Sequence, residues 1–251
     1  MGSEAGKAWT LSFVVPVFDE VEGVRLLWSA LRRAGDQALG AGRVASWEGV
    51  IVDDGSRDGT SDLLDDIAAT DPRCVVVRHG TNQGIGAALH SGFVASSGDV
   101  LVYTDADLPW DLGCLDSLLA PVLDRRVDLV AGRRIGRARE GWWRAAQSLA
   151  YNSAVRALFG LRVTDVNFAC KVASRAALPA SVRSQSGFFD AEWLIWASRS
   201  GLRVRQVPVE FVPRTSGTSS VDGSAAVDIV REMLRHRRSF RARPVDAATT
   251  T

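Results

Sequence analysis

Asp105 and Asp107, one residue apart behind Val100-Leu101-Val102-Tyr103-Thr104, are the two side chains of this sequence best suited to chemistry. The apolar and aromatic run before Thr104 predicts a buried strand, and extended chain turns alternate side chains to one side, so both carboxylates are expected on one face with small Ala106 between them. Two like charges held together repel unless a cation lies between them. A hard divalent cation, Mg²⁺ or Mn²⁺, takes such oxygen donors and keeps its other positions for water and a diphosphate. A pair of solvated loop aspartates is the plainer reading of an isolated D-x-D, and the surroundings decide between the two.

Those surroundings are strands that end in acids. Leu11 to Pro16 predicts a strand running into Val17-Phe18-Asp19-Glu20, and Gly49 to Val52 predicts one running into Asp53-Asp54-Gly55-Ser56-Arg57-Asp58-Gly59-Thr60. Helical spacing is expected over about 21–39, 60–69 and 113–124, and strands over Cys74 to Arg78, Leu129 to Gly132 and Val204 to Val212. Strand alternating with helix predicts an α/β fold with a mostly parallel sheet covered on both faces, whose ligands gather at the carboxyl ends of the strands. Between Asn82 and Ala88 small residues open a helix to about Ser96; amides near Gly84 either meet an anion there, or the glycines only allow close packing.

The second half carries bases and further acids. Trp142 to Phe159 predicts a helix that stacks Arg144, Ser148 and Asn152 on one face, a fork and a hydroxyl suited to a phosphate. Its leading Trp142 and Trp143 belong to the core or to a lipid boundary. Asp165 to Lys171 is a strand-like piece with an acid and a base, and Asp190 and Glu192 open a helix, Trp193 to Arg199. The run Arg214-Thr215-Ser216-Gly217-Thr218-Ser219-Ser220 has no apolar pattern and is expected as a loop that orders over substrate.

Thirty basic against 29 acidic residues leave a formal net charge of +1, so bulk charge selects no partner and nucleic acid is not expected. The arginines nevertheless crowd into 125–144 and 231–243, clusters that nucleic acid, anionic lipid or a diphosphate would each suit; for the second, a solvated helix face and a membrane surface are the two readings. Three widely spaced cysteines, Cys74, Cys114 and Cys170, argue for a reducing compartment and against a zinc site. No apolar run reaches the roughly 20 residues of a membrane span, and residues 1–9 lack a signal peptide's pattern. A cytoplasmic protein is expected, touching the inner face of a membrane peripherally at most.

The succession VVPVFDE, VDDGSRDGT, NQGIGAA, TDADL, AGRR, DVNFACK, FFDAEW and VPRTSGTS resembles the inverting glycosyltransferases of family 2, with the GT-A fold, and within them the dolichol-phosphate and polyprenyl-phosphate mannosyl- or glucosyltransferases. The resemblance covers about 11–220, leaving 1–10 as a flexible N-terminus and 221–251 as a basic helix with a frayed tail. It implies a nucleoside-diphosphate sugar donor and a lipid-phosphate acceptor. Pro16, Phe18, Glu20, Asp53, Gly84 and Asp105 then line the nucleotide pocket; Asp105 and Asp107 hold the metal; Arg133, Arg144 and Ser148 hold the acceptor phosphate; and Arg214, Gly217 and Ser219 close over the donor diphosphate. Departures are Pro109 in place of a glutamine ligand, Ile85 for a common basic residue and Ser220 for a lysine.

The implied chemistry is a single displacement in which the metal and Arg214 neutralise the leaving diphosphate. An acceptor phosphate needs no strong base, whereas a hydroxyl acceptor on a soluble natural product or saccharide requires Asp190 or Asp165 to take its proton. A sugar nucleotidyltransferase is the rival of another class, but its usual G-x-G-T-R start is replaced here by PVFDE.

Overall fold

The computed structural model describes residues 8–136 and 142–213 together with 233 and 235, and for 142–147 the backbone only. Seven strands, β1 (Thr10–Val17), β2 (Ser46–Asp53), β3 (Cys74–Arg78), β4 (Val100–Thr104), β5 (Leu129–Ile135), β6 (Cys170–Ser174) and β7 (Val204–Glu210), form one sheet in the order β3-β2-β1-β4-β6-β5-β7. All neighbours are parallel except β6, which runs antiparallel to both β4 and β5.

Alternation along the strands divides the core between two faces. Leu11, Phe13, Val15 and Val17 of β1 and Val100 and Val102 of β4 pack on one side, against α1 (Val24–Gly40), α2 (Thr60–Thr70) and α4 (Leu115–Leu123). Val14, Leu101 and Tyr103 pack on the other, against α3 (Ile85–Ala95), α5 (Trp142–Phe159) and α6 (Phe189–Arg199). Helix α1 shows why it lies down: Val24, Leu27, Trp28, Leu31, Ala34 and Ala38 recur at helical spacing and are buried, each large one contributing about 1.5–3 kcal/mol.

The expected α/β sheet with helices on both faces is present, with four local differences. The strand expected over Leu129 to Gly132 continues through Arg133 and Arg134 to Ile135, because β7 pairs with it along its whole length. Of the strand-like piece 165–171 only its end is extended, and positive φ at Asp165 (57°) turns the chain just before it. Helix α6 begins at Phe189, so Asp190 and Glu192 stand in its first turn, where the helix dipole favours acids. Strand β4 stops at Thr104, one residue before the D-x-D.

Cys74 and Cys170 are buried, Cys114 is half-buried, and all three are free thiols. Among the described residues no helix is long and apolar enough to cross a membrane. Residues 1–7, 137–141 and 214–220 lie outside the described residues, as does the expected C-terminal helix apart from helical Met233, packed into the second core, and Arg235.

Candidate active site

Strand order reverses between β1 and β4: the chain builds β2 and β3 outward on one side of β1, then returns to place β4 on the other. A crevice opens at the carboxyl ends of two such strands, which is where open α/β sheets bind ligands. The loop after β1 (Phe18 to Glu20) and the loop after β4 (Asp105 to Leu108) leave the carboxyl ends of these two paired parallel strands.

The first wall is a set of loops stitched by side chains. Asp19 adopts a left-handed φ of 52°; its amide donates to Ser56 Oγ at 2.9 Å and its carboxylate accepts from the Arg57 amide at 2.8 Å. The Glu20 amide donates to Thr60 Oγ1 (2.9 Å) and the Val21 amide to Asp58 Oδ2 (3.0 Å), so the loops after β1 and β2 are tied together. Phe18 is left 44% exposed beside them, and Pro16 and Glu20 are half-buried. Asp53 is buried and accepts from the Ser56 amide and the Ser61 hydroxyl; burial works to raise its carboxyl, but those hydrogen bonds outweigh it and hold it below the ordinary value.

Asp54 is the residue whose role the sequence did not disclose. Its carboxylate accepts from the amides of Gln83 and Gly84, both at 2.9 Å, and contacts His79 Nδ1 at 2.6 Å, while His79 Nε2 contacts Ser91 Oγ at 2.9 Å. The amides of Gln83 and Gly84 ahead of α3 are therefore occupied from within, and the glycines there allow close packing. A Cβ at Gly84, where φ is 90°, would stand 2.3 Å from the Gln185 carbonyl oxygen, and one at Gly86 would stand 1.9 Å from that of Ser184. Buried Glu192 holds that overlying loop by accepting from the amides of Arg183 and Ser184.

The D-x-D does not continue the strand, so the alternation argument for its two side chains fails. Asp105 opens a turn closed by the Leu108 amide on the Asp105 carbonyl (3.1 Å), with Leu108 at φ 50° ahead of Pro109. The two carboxylates are nevertheless neighbours and both half-buried. Burial, with the charges of Asp107 and Asp190, pushes the Asp105 carboxyl up to about 7, against the pull of the Tyr103 hydroxyl and Lys171. Hard oxygen donors that repel at close range suit a divalent cation, so the donor chemistry fits Mg²⁺ or Mn²⁺. Among the described residues no third acid, histidine or cysteine completes a protein-only cage.

Pro109, where a side-chain ligand was expected from the family pattern, has a structural task. Its carbonyl accepts from the Val212 amide at 3.0 Å, and Trp110 forms an antiparallel bridge with Phe211. The chain just past β7 is thus pinned beside the D-x-D turn through Val212, two residues before Arg214. Arg214, Gly217 and Ser219 themselves lie outside the described residues.

Behind the turn lies a second group of charges. Tyr103 donates to Asp105 Oδ1 at 3.0 Å, and buried Lys171, its antiparallel partner on β6, places Nζ 5.4 Å from the Tyr103 ring centroid and 2.5 Å from Asp190 Oδ1. Burial pushes the Asp190 carboxyl up and Lys171 pulls it back. Asp165 is likewise engaged: it accepts from the Arg134 amide (2.7 Å) and from both Arg134 Nε (3.0 Å) and Nη2 (2.6 Å). Arg133, one residue before, is exposed on β5. On α5, Asn152 donates to the Ser148 carbonyl (2.6 Å) and hydroxyl (3.3 Å) and accepts from the Val166 amide, joining Ser148 to the 165–169 turn; the side chain of Arg144 lies outside the described residues. Tyr103, Asp54 and Glu192 carry structural roles that single-sequence patterns had not distinguished.

Comparison with known proteins places these features in company. The family model described as "Glycosyl transferase family 2" matches residues 12–183. The undecaprenyl-phosphate mannosyltransferase of Micrococcus luteus is 31% identical over 88% of this chain and 91% of that protein. The polyprenol monophosphomannose synthase of Mycolicibacterium smegmatis is 31% identical over 84% of this chain and 80% of its own length. Glycosyltransferase AglD of Haloferax volcanii is 33% identical over 75% of this chain, which spans only 30% of AglD. Among solved structures, glucosyl-3-phosphoglycerate synthase from Mycobacterium tuberculosis in complex with Mn²⁺, UDP-glucose and phosphoglyceric acid shares the fold, with a TM-score of 0.68 at 20% identity over 92% of this chain and 80% of that one.

Proposed function

The chain belongs to glycosyl transferase family 2, and from that premise we propose that it moves a hexose of mannose or glucose type from a nucleoside-diphosphate sugar to a polyprenyl phosphate, inverting the anomeric centre. The names of the relatives from Micrococcus luteus and Mycolicibacterium smegmatis support the acceptor class. The Mn²⁺ and UDP-glucose held by the structurally similar synthase support the donor class and a divalent cofactor.

The observation that carries the reading is the state of the two acids able to act as a base. Asp165 is clasped by Arg134 and Asp190 by Lys171, so each is buried and already engaged by a cation of its own. A hydroxyl nucleophile needs a carboxylate ready to accept its proton, whereas a phosphate arrives already anionic. In this scheme Pro16, Phe18, Glu20, Asp53 and Gly84 shape the nucleotide pocket, and Asp105 and Asp107 hold Mg²⁺ or Mn²⁺, which when bound supplies countercharge to the leaving diphosphate. Arg214, with Gly217 and Ser219, covers the diphosphate, and Arg133, Arg144 and Ser148 take the acceptor phosphate. The lipid is met by peripheral contact at the cytoplasmic face.

Transfer of radiolabelled hexose to polyprenyl phosphate, run beside soluble hydroxyl acceptors and phosphoglyceric acid, tests the reading. Label in the lipid phase, with the opposite anomeric configuration to the donor, is expected. Label in soluble acceptors alone would overturn the acceptor, and a retained configuration would overturn single displacement.

A further inference from the structure

Lysine is among the side chains least often buried, yet Lys171 is 1% exposed. An ammonium has three donors, and here all three are used, on the Val166 carbonyl (3.2 Å), the Phe168 carbonyl (3.0 Å) and Asp190 Oδ1 (2.5 Å). Full satisfaction fixes the group in place, because any rotation leaves a buried donor without its acceptor. What it is fixed against is Tyr103: the two residues are directly opposite on antiparallel strands, and Nζ lies over the ring at 5.4 Å. Tyr103 is itself 1% exposed and spends its hydroxyl on Asp105 Oδ1 at 3.0 Å.

We propose that Lys171 is a positioning residue of the transfer: anchored by Asp190 and the 166–168 carbonyls, it braces the Tyr103 ring, and Tyr103 in turn fixes the rotamer of Asp105 at the donor site. The inference rests on the reading of Asp105 and Asp107 as the site of donor binding. It assigns Lys171 no contact with substrate. A chain of this kind is needed because Asp105 sits in a turn rather than a strand, so the backbone alone does not orient its carboxylate. The acid behind the site, Asp190, anchors the lysine and is not the proton acceptor.

Lys171→Met alone strands a buried carboxylate and risks misfolding, so the informative background is K171M/D190N, which removes both charges together. Dissociation constants for GDP, UDP and dTDP in the presence of Mn²⁺ would be measured by thermal shift on the full chain, for the wild type, Y103F, K171M/D190N and the triple variant, with no acceptor present. Supporting outcomes are a cooperative melt for K171M/D190N, affinity for the preferred nucleotide lowered about tenfold or more, and a Y103F effect that vanishes in that background. Wild-type affinity in K171M/D190N, or a Y103F loss that simply adds to it, would show Lys171 to be structural only and overturn the proposal. A wild-type protein that binds no nucleoside diphosphate would overturn the donor-site reading and this inference with it, whereas failure to transfer to lipid phosphate would leave these binding results standing.

Discussion

At the scale of single residues, the site gathers charges that the fold would be more stable without. Asp107 and Asp190 both act on Asp105 across a partly buried space, with Lys171 as the fixed counterion of Asp190. Replacing Asp107 by Asn removes one of the repelling charges while keeping shape. Relief of about 1 kcal/mol would raise the melting temperature of the metal-free protein by about 2–4 °C for a chain of this size. If Asp107 holds the proposed cation, the same substitution takes away one of its ligands, and turnover is expected to fall by about a hundredfold or more. Differential scanning calorimetry without metal and initial transfer rates with Mn²⁺ measure the two effects separately. A variant of unchanged stability and full activity would place Asp107 among ordinary surface acids.

At the scale of elements, the site is held by loops locked across the start of α3. The loop at 183–185, suspended from Glu192 on α6, lies so close that Gly86 has no room for a side chain. Gly86→Ala would set its Cβ against the Ser184 carbonyl, and the urea midpoint is expected to drop by the equivalent of about 1–3 kcal/mol. An unchanged midpoint would mean that the loop does not rest there. This contact also shows which features a sequence reveals. Apolar runs such as Val100-Leu101-Val102 and the helical spacing of Val24, Leu27 and Leu31 announced strand and helix locally, and the acids at strand ends announced the crevice. The reversal of β6 was not legible, because strand direction is set by partners far along the chain. Nor was the break after Thr104, where the Asp105–Leu108 turn and the pinning of Pro109 to Val212 end the extended run. The double use of Asp54, on His79 and on two amides ahead of α3, joins segments 25 to 30 residues apart, a distance over which no periodicity speaks.

At the scale of the whole molecule, acids are used in opposite ways at the two ends of the sheet. At the carboxyl ends Asp105 and Asp107 are left as close, mutually repelling carboxylates; at the amino ends acids clamp the structure. Asp99 accepts from the amide and hydroxyl of Thr10, Glu48 from Ser12 and Ser97, Asp71 from Arg73, and Asp128 from Arg203. The side-chain hydrogen bonds from Arg73 hold the Asp71 carboxyl below its ordinary value despite opposing burial, and those from Arg203 do the same for Asp128. A carboxyl whose folded value lies below its unfolded one contributes stability that is present above the unfolded value, about 4, and is lost as pH falls through the folded value. Asp71, whose side chain is 10% exposed, is the better probe of the two. Asp71→Asn is expected to cost about 1–2 kcal/mol at pH 7, where the wild-type carboxylate is charged and bound to Arg73. From about pH 4 downward the gap should narrow, and the two proteins should converge once the pH has fallen through the lowered folded value and the wild-type group has taken up its proton. Urea unfolding of both at pH 7, 5 and 3 measures this directly. A gap of constant size across that range would mean that Asp71 acts through shape alone, and that the amino-end clamp does not depend on charge.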